Sequence, residues 1–581
     1  MPLLSRQRTD ETVSATSIRL HRIPAREAAV LMLLAVIVGA VSGLSAVVLS
    51  KSVHWASTAL LALERDWWII FVPALGAGLS ALYLKNLLRD NAGHGVPELI
   101  RSVSVGGGRL RKDLIYSRLI SSFLTVSSGG SAGLEGPIAT SGGAIGSVLA
   151  DLFRFNERRR MLLLGYGVAG AVAAIFNAPL TGTVFALEII LGEWSALALL
   201  PTIISAVSAT QLSRVLLGNQ IAFPHEIFGF GTIDLLACVG LGLATGVVSS
   251  AFQRALRRTE SLFRRIRVPD WGRAGLGGLA VGVGGFIMPS ILHDGYAAIQ
   301  DFLQGDTHLV LWGVAAFIVM KFLACCATLG SGGSGGVFAP SLVLGSATGY
   351  GFGQLLNVAL PGWGLASPSA YSLVGMAGMV AGLMHAPLTG MFLVLEITVG
   401  YRLILPLMIV TVVSMLVSYY FEQGSVYTRE LIDHGLLARR GSDQQLLQTM
   451  ETRELLDAEV IVLREDMLLG EFVEIFKHAK RNVFPVVDGE TQAWRGVVYL
   501  DDIRPYLFDT TLYALMTMGS VMDENLPIIN AQENVQAAIQ KFESTGAWSL
   551  PVVQDGKFLG MMSKSTLFDR YRRELIVHTT G

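Results

Sequence analysis

A single carboxylate, Glu135, stands in the stretch "SSGGSAGLEGPIATSGGAIGS" (127–147), among seven glycines and with apolar sequence on both sides. A glycine-rich turn lets backbone amides approach a ligand closely. The helix it leads into presents four N–H groups without intrahelical partners and about half a positive charge. Such a turn binds an anion without lysine or arginine. A second turn, "SGGSGGVFAP" (331–340), repeats the pattern of "SGGSAGLEGP" (128–137), and each copy closes on a proline near a helix start, Pro137 or Pro340. Two positive helix ends aimed at one point would hold an anion loosely, because partial charges at several sites favour entry and release together. Glu135 is costly at membrane depth and is therefore a functional-site candidate.

Other chemistries fit less well. Neither turn ends in the Gly-Lys-Ser/Thr of a phosphate-binding loop. "GGSAG" and "GGSGG" have the spacing of a nucleophile elbow, but no convincing histidine base lies nearby, so the chain does not read as an enzyme. Cys238, Cys325 and Cys326 lie in apolar stretches without disulfide or zinc spacing and read as small packing residues. Lys321, in "IVMKFLACC", is expected to be buried against a carbonyl or a carboxylate. The net charge of −1 offers no basic footprint for nucleic acid.

The elements that would position these turns are membrane helices. Of 581 residues, 52% are hydrophobic and only 15% charged, with a mean hydropathy of +0.53. A soluble domain usually carries roughly 25% charge. Apolar spans run from about residue 28 to 420, several shorter than the ~20 residues needed to cross a bilayer and broken by Gly or Pro. Broken helices persist at depth only where protein or a wet cavity covers the freed backbone. The basic clusters "ERRR" (157–160) and "RALRRTESLFRRIR" (254–267) read as cytoplasmic loops. "NAPLTGTVFALEI" (177–189) returns 208 residues later as "HAPLTGMFLVLEI" (385–397), and the glycine turns return after 203. The membrane region is thus two related halves, with a transport site expected at their interface. Glu188 and Glu396 share one place in both copies, which favours a structural role such as capping.

After Tyr420 the composition turns soluble. "VFPVVDGETQAWRGVVYLDDI" (483–503) and "SLPVVQDGKFLGMMSKSTL" (549–567) each read as strand, turn, strand and helix start, each after an amphipathic helical stretch. They resemble a pair of CBS domains, modules that often bind adenine nucleotides through Gly-x-x-Ser/Thr-x-x-Asp. The first copy keeps the acid, Asp502, but has Tyr499 at the hydroxyl position; the second keeps Ser563 but has Thr566 for the acid. Nucleotide sensing and a structural or dimerising role both stay open.

The membrane region resembles the CLC family of chloride channels and chloride/proton antiporters. The family's GSGIP, GREGP and GxFxP segments are matched by "GHGVP" (93–97), "GLEGP" (133–137) and "GVFAP" (336–340), and Tyr427 in "SVYTREL" (425–431) sits where the family places an anion-contacting tyrosine. The resemblance implies an all-α multipass domain of two inverted repeats with broken helices, followed by a cytoplasmic α/β CBS pair. It divides the chain into a cytoplasmic tail (1–27), an anion-transport domain (28–435, repeats about 28–217 and 234–420), a linker (436–457) and CBS modules at 458–510 and 517–575. It implies a homodimer with one pathway per subunit; the compact loops and short N-terminal tail point to the prokaryotic inner (plasma) membrane, with both termini expected to be cytoplasmic. Glu135 becomes the gate: its carboxylate blocks the path as an anion mimic, and protonation or displacement opens it. The amides of Val337 and Phe338, with the Tyr427 hydroxyl, would hold the central anion; Gly136, Pro137 and Ile138 would line the outer site. Burial favours the protonated carboxyl and a helix N-terminus the ionised one, so the gate can respond to pH.

Three positions depart from the family. His94 replaces the serine of GSGIP, and its ring either donates an N–H to the anion or points away. Leu134 replaces the arginine of GREGP, which either raises the cost of ionising Glu135 or removes an arginine that acts structurally. Ile189 stands where antiporters of the family carry an inner proton-transfer glutamate. The expected function is chloride transport, with bromide or nitrate as related anions, leaning to a channel or weak proton coupling, with a chloride/proton antiporter as the alternative. A CBS-regulated divalent-cation transporter is the more distant reading. No cofactor is required; an adenine nucleotide is one of the two readings left open for the CBS pair.

Overall fold

The structure is a computed structural model describing residues 25–61, 67–88, 95–218, 229–305, 310–398, 401–433, 452–457, 460–479 and 481–571. His94, the tail through residue 24 and most of the expected linker lie outside them. The chain divides into two compact units at Leu436/Leu437.

The first unit is helical. Its first half contains α1 (Ala25–Leu61), α2 (Val72–Leu82), α3 (Val96–Ser104), α4 (Leu114–Ser127), α5 (Glu135–Leu152), α6 (Glu157–Phe176), α7 (Pro179–Phe185) and α8 (Ala196–Leu217). The second half repeats the order with α9 (Thr232–Arg265), α10 (Asp270–Ile287), α11 (Tyr296–Gln304), α12 (Leu311–Gly330), α13 (Phe338–Ala359), α14 (Pro368–Met384), α15 (Pro387–Thr398) and α16 (Ile404–Phe421), and α17 (Arg429–Asp433) follows. Among the described residues seven helices are long and apolar enough to cross a membrane, while α4, α7, α14 and α15 are shorter. The basic clusters taken as loops are helical: 157–160 opens α6, and 254–265 completes α9. Arginine is a good helix former, and a charged stretch continues a helix beyond its apolar part.

Sequence repetition becomes structural reciprocity. Both α6 and α14 end on a left-handed residue, Asn177 (φ 54°) and His385 (φ 53°), just before the repeated Ala-Pro. Glu188 lies on the π-helical turn Ala186–Leu191 that continues α7. Its carboxylate accepts from the amides of Leu388 (3.1 Å) and Thr389 (2.8 Å) and from the Thr389 hydroxyl (2.7 Å). Glu396 returns the arrangement, accepting from the amides of Leu180 (2.8 Å) and Thr181 (2.7 Å) and from the Thr181 hydroxyl (2.6 Å). Each glutamate satisfies orphan N–H groups at the helix start of the other half. The capping role expected of this pair is the one observed, and the reciprocity relates the halves by an approximate two-fold operation.

The second unit holds two three-stranded sheets. In one, β1 (Leu463–Arg464) runs parallel to β2 (Val483–Val487), which pairs antiparallel with β3 (Trp494–Tyr499); α18 (Leu469–Phe476) packs Phe472 against Phe484. In the other, β4 (Ile529–Asn530) is parallel to β5 (Ser549–Gln554) and β5 antiparallel to β6 (Lys557–Ser563), with α19 (Val535–Thr545). Trp494 stacks on Phe558 between the two sheets, 5.6 Å between ring centres. Residues 452–457, assigned by the sequence reading to the linker, belong to this unit. Leu455 is buried in the core of the second sheet, and Asp457 pairs with Met561.

Candidate anion site

The two glycine turns meet on the approximate two-fold axis. Gly133 and Gly336 exchange both backbone hydrogen bonds, at 2.8 and 2.7 Å. Each turn is tied to a threonine of the other half: the Ser131 amide donates to Thr328 Oγ1 (3.0 Å) and the Ser334 amide to Thr125 Oγ1 (3.2 Å). The Ser121 and Ser334 hydroxyls share a further buried bond of 2.8 Å. These ties fix where α5 and α13 begin, at Glu135 and Phe338.

Glu135 is 2% exposed. Its Oε2 accepts from the Ala339 amide at 3.4 Å, at the first turn of α13, and its Oε1 accepts from the Tyr296 hydroxyl at 2.5 Å. The carboxylate of one half therefore sits at the positive helix end of the other. Gly133 makes room for it, since a Cβ there would lie 2.1 Å from Oε2. Val337, Phe338 and Tyr427 are all buried. Phe338 packs its ring on Phe176 and Phe185, with centres 5.2 and 5.9 Å away. The segment carrying Tyr427 is tied to the end of α14 by Val426 N to Leu383 O (3.0 Å).

The expected outer-site set needs correction. The Ile138 amide is spent inside α5, donating to Leu134 O at 3.0 Å, and Pro137 has no amide hydrogen to offer. Gly136 remains, buried against Gly336, whose Cβ position would lie 2.9 Å from the Gly136 nitrogen. Leu134 is buried immediately before α5, and Ile189 is buried on the same π-helical turn as Glu188.

Tyr296 was not anticipated. The signal for it was the repeat itself: Gly295 follows Gly95 of "GHGVP" by 200 residues, both precede a helix, and both adopt positive φ (83° and 76°). Lys321, buried as expected, donates to the carbonyls of Ile291 (2.9 Å) and His293 (3.0 Å). In the soluble unit, Asp502 is exposed, while the Ser563 hydroxyl accepts from the Thr566 amide (3.1 Å) and bonds the Thr566 hydroxyl (2.9 Å). Ser563 thus caps the turn that follows β6.

A family model described as "Voltage gated chloride channel" matches residues 76–419, and the CBS domain model matches 453–509 and 518–573. The chain is 34% identical over 386 residues to a putative chloride channel protein ClcB-like of Ralstonia nicotianae, covering 65% of this chain and 89% of that one. It is 28% identical over 419 residues to the H(+)/Cl(−) exchange transporter ClcA of Yersinia pestis, covering 69% and 86%. Among solved structures, that of a eukaryotic CLC transporter aligns over 94% of this chain and 99% of its own, with a TM-score of 0.63 at 19% identity, a likeness of fold. The first family model spans more than half of the sequence, and the protein is a multipass membrane protein of the voltage gated chloride channel family with a C-terminal pair of CBS domains.

Proposed function

We propose that this protein moves chloride across the plasma (inner) membrane through one pathway per subunit of a homodimer, with Glu135 as the gate. The observation that carries the reading is the Glu135 carboxylate on the Ala339 amide, at the helix end an anion would seek. While ionised and in place, the carboxylate blocks; once protonated or displaced, it leaves N–H groups of α13 and the Tyr427 hydroxyl for the anion. Partial charges suit this task, because a buried lysine or arginine would hold chloride too tightly to release it. Glu188 and Glu396, the acids a cation path would draw on, are each engaged by two amides and a threonine hydroxyl, which favours the anion reading.

Conduction is passive or weakly proton-coupled in this reading, because Ile189 is a buried hydrocarbon where the resemblance puts a second proton-carrying glutamate. Exchange is the second reading, favoured by the similarity to a protein named as an H(+)/Cl(−) exchange transporter. In this reading the CBS pair faces the cytoplasm and either senses an adenine nucleotide or serves a structural or dimerising role.

A coupled flux assay separates the two. Purified protein in liposomes receives a chloride gradient at equal pH, with voltage clamped by valinomycin and internal pH recorded. Chloride flux without uphill proton movement is expected. Uphill protons, lost in Glu135→Gln, would establish an exchanger that works without a glutamate at position 189.

A further inference from the structure

We propose that Tyr296 is the latch of the gate: its hydroxyl holds the Glu135 carboxylate in the blocking position, and the path opens by breaking that bond. The inference rests on the reading of Glu135 as the gate. At 2.5 Å, the Tyr296 hydroxyl to Glu135 Oε1 bond is much shorter than the 3.4 Å contact from the Ala339 amide. It has the length of a charge-assisted O–H···O bond and joins residues from different halves.

The tyrosine is held by a braced segment. Lys321 Nζ fastens the carbonyls of Ile291 and His293. The His293 ring donates from Nδ1 to the Val126 carbonyl at 2.8 Å, at the end of α4, and the His293 amide donates to Gly129 O at 3.4 Å. His293 itself is left-handed (φ 55°), a conformation a β-carbon disfavours and that persists only where the surroundings impose it. Gly295 then turns the chain tightly beside Lys321, with a Cβ position 2.9 Å from Nζ. The segment is therefore fastened at once to α12 and to the glycine turn that precedes α5.

Symmetry separates latch from scaffold. α11 is the counterpart of α3, and Gly295 packs beside Val343 of α13 as Gly95 packs beside Thr140 of α5, with 200 residues between the glycines and 203 between their partners. The residue after Gly95 is Val96, which has no hydroxyl. The helix start is common to both halves; the phenol is not, and it meets Glu135, the carboxylate that is itself without a counterpart, since Phe338 occupies the matching place.

Chloride and the carboxylate compete for the same amides, so apparent chloride affinity rises in proportion to the fraction of gates that are open. Chloride titration of the full-length detergent-solubilised protein by isothermal calorimetry tests the latch in four forms: wild type, Tyr296→Phe, Glu135→Ala and the double variant. Tyr296→Phe is expected to tighten apparent chloride binding by about tenfold or more, the size of one hydrogen bond to a charged group. Glu135→Ala should tighten it at least as much, and the double variant should match Glu135→Ala. The latch is overturned if Tyr296→Phe leaves the wild-type isotherm unchanged. It is equally overturned if the substitution shifts the Glu135→Ala isotherm by the factor it shifts wild type, since the phenol would then act on the anion or the scaffold. An unaltered isotherm for Glu135→Ala would remove the gate itself and the latch with it.

Discussion

The two glycine turns share a backbone and differ in the side chain that opens the helix after each. Ser131 and Ser334 are held by the same threonine bond from the other half, Gly133 and Gly336 pair with each other, and each turn starts a helix. The first helix then opens on Glu135, whose carboxylate crosses to the other turn; the second opens on Phe338, whose ring packs on Phe176 and Phe185. In the proposed function, residues kept in both halves build the frame, and residues present in one half act within it. Glu188 and Glu396 obey the first part of that rule, being acidic, repeated and occupied as caps. Glu135 and Tyr296 obey the second.

The largest effect expected from breaking this comparison is at Glu135. Wild-type chloride flux should rise as pH falls, because protonation removes the blocking charge. Glu135→Gln should be open throughout, its flux raised about tenfold at neutral or alkaline pH and flat from pH 5 to 8. Liposome efflux at a series of pH values checks both. A Gln variant that keeps the wild-type pH dependence would make the assignment wrong.

The repeated glutamates should behave as a matched pair. Glu188→Ala and Glu396→Ala each leave two amides and a hydroxyl without their acceptor, at a cost of about 1–3 kcal/mol. Thermal unfolding in detergent should drop by a similar few degrees for each. Flux per folded protein should hardly change in either. A loss of flux confined to one of them would show that the pair is not equivalent.

A smaller effect comes from the analogous comparison in the soluble unit. The second hairpin turns through Asp555-Gly556, both at positive φ (52° and 80°), a tight two-residue turn. The first hairpin is longer and is organised by Asp488, which accepts from the amides of Glu490 and Thr491, the Thr491 hydroxyl and Arg495. Hydrogen bonding by the Thr491 amide, followed by Arg495, holds the Asp488 carboxyl well below the usual carboxylate range. Its stabilisation is therefore present above the unfolded value of about 4 and is lost as pH falls through the lower folded value. Asp488→Asn should melt slightly earlier than wild type at pH 7, and the gap should close on acidification below about pH 4. A gap unchanged by acid would mean that the charge of Asp488 contributes nothing.

Much of this frame was legible in the residues. Two offsets, 203 and 208, already paired the turns and the caps, because a repeated backbone needs glycine, proline and capping residues at the same places. What escaped was information carried only by packing across the halves. Tyr296 lies 161 residues from Glu135, in a stretch where the repeat keeps only the glycine. The Ile138 amide looked available because sequence does not show which N–H groups of a first turn are already spent. The arginines of 254–265 resembled a loop because their charge masked the continuation of α9.

In the proposed function the Glu135 carboxylate occupies an anion's seat at the start of α13. The most direct measurement is an anomalous-scattering crystal structure of Glu135→Ala in bromide, set against wild type in the same salt. A bromide peak within hydrogen-bonding distance of the Ala339 amide is expected in the variant, and the carboxylate at that amide in wild type. A variant whose α13 start holds no bromide, or a wild type with bromide and carboxylate there together, would contradict it.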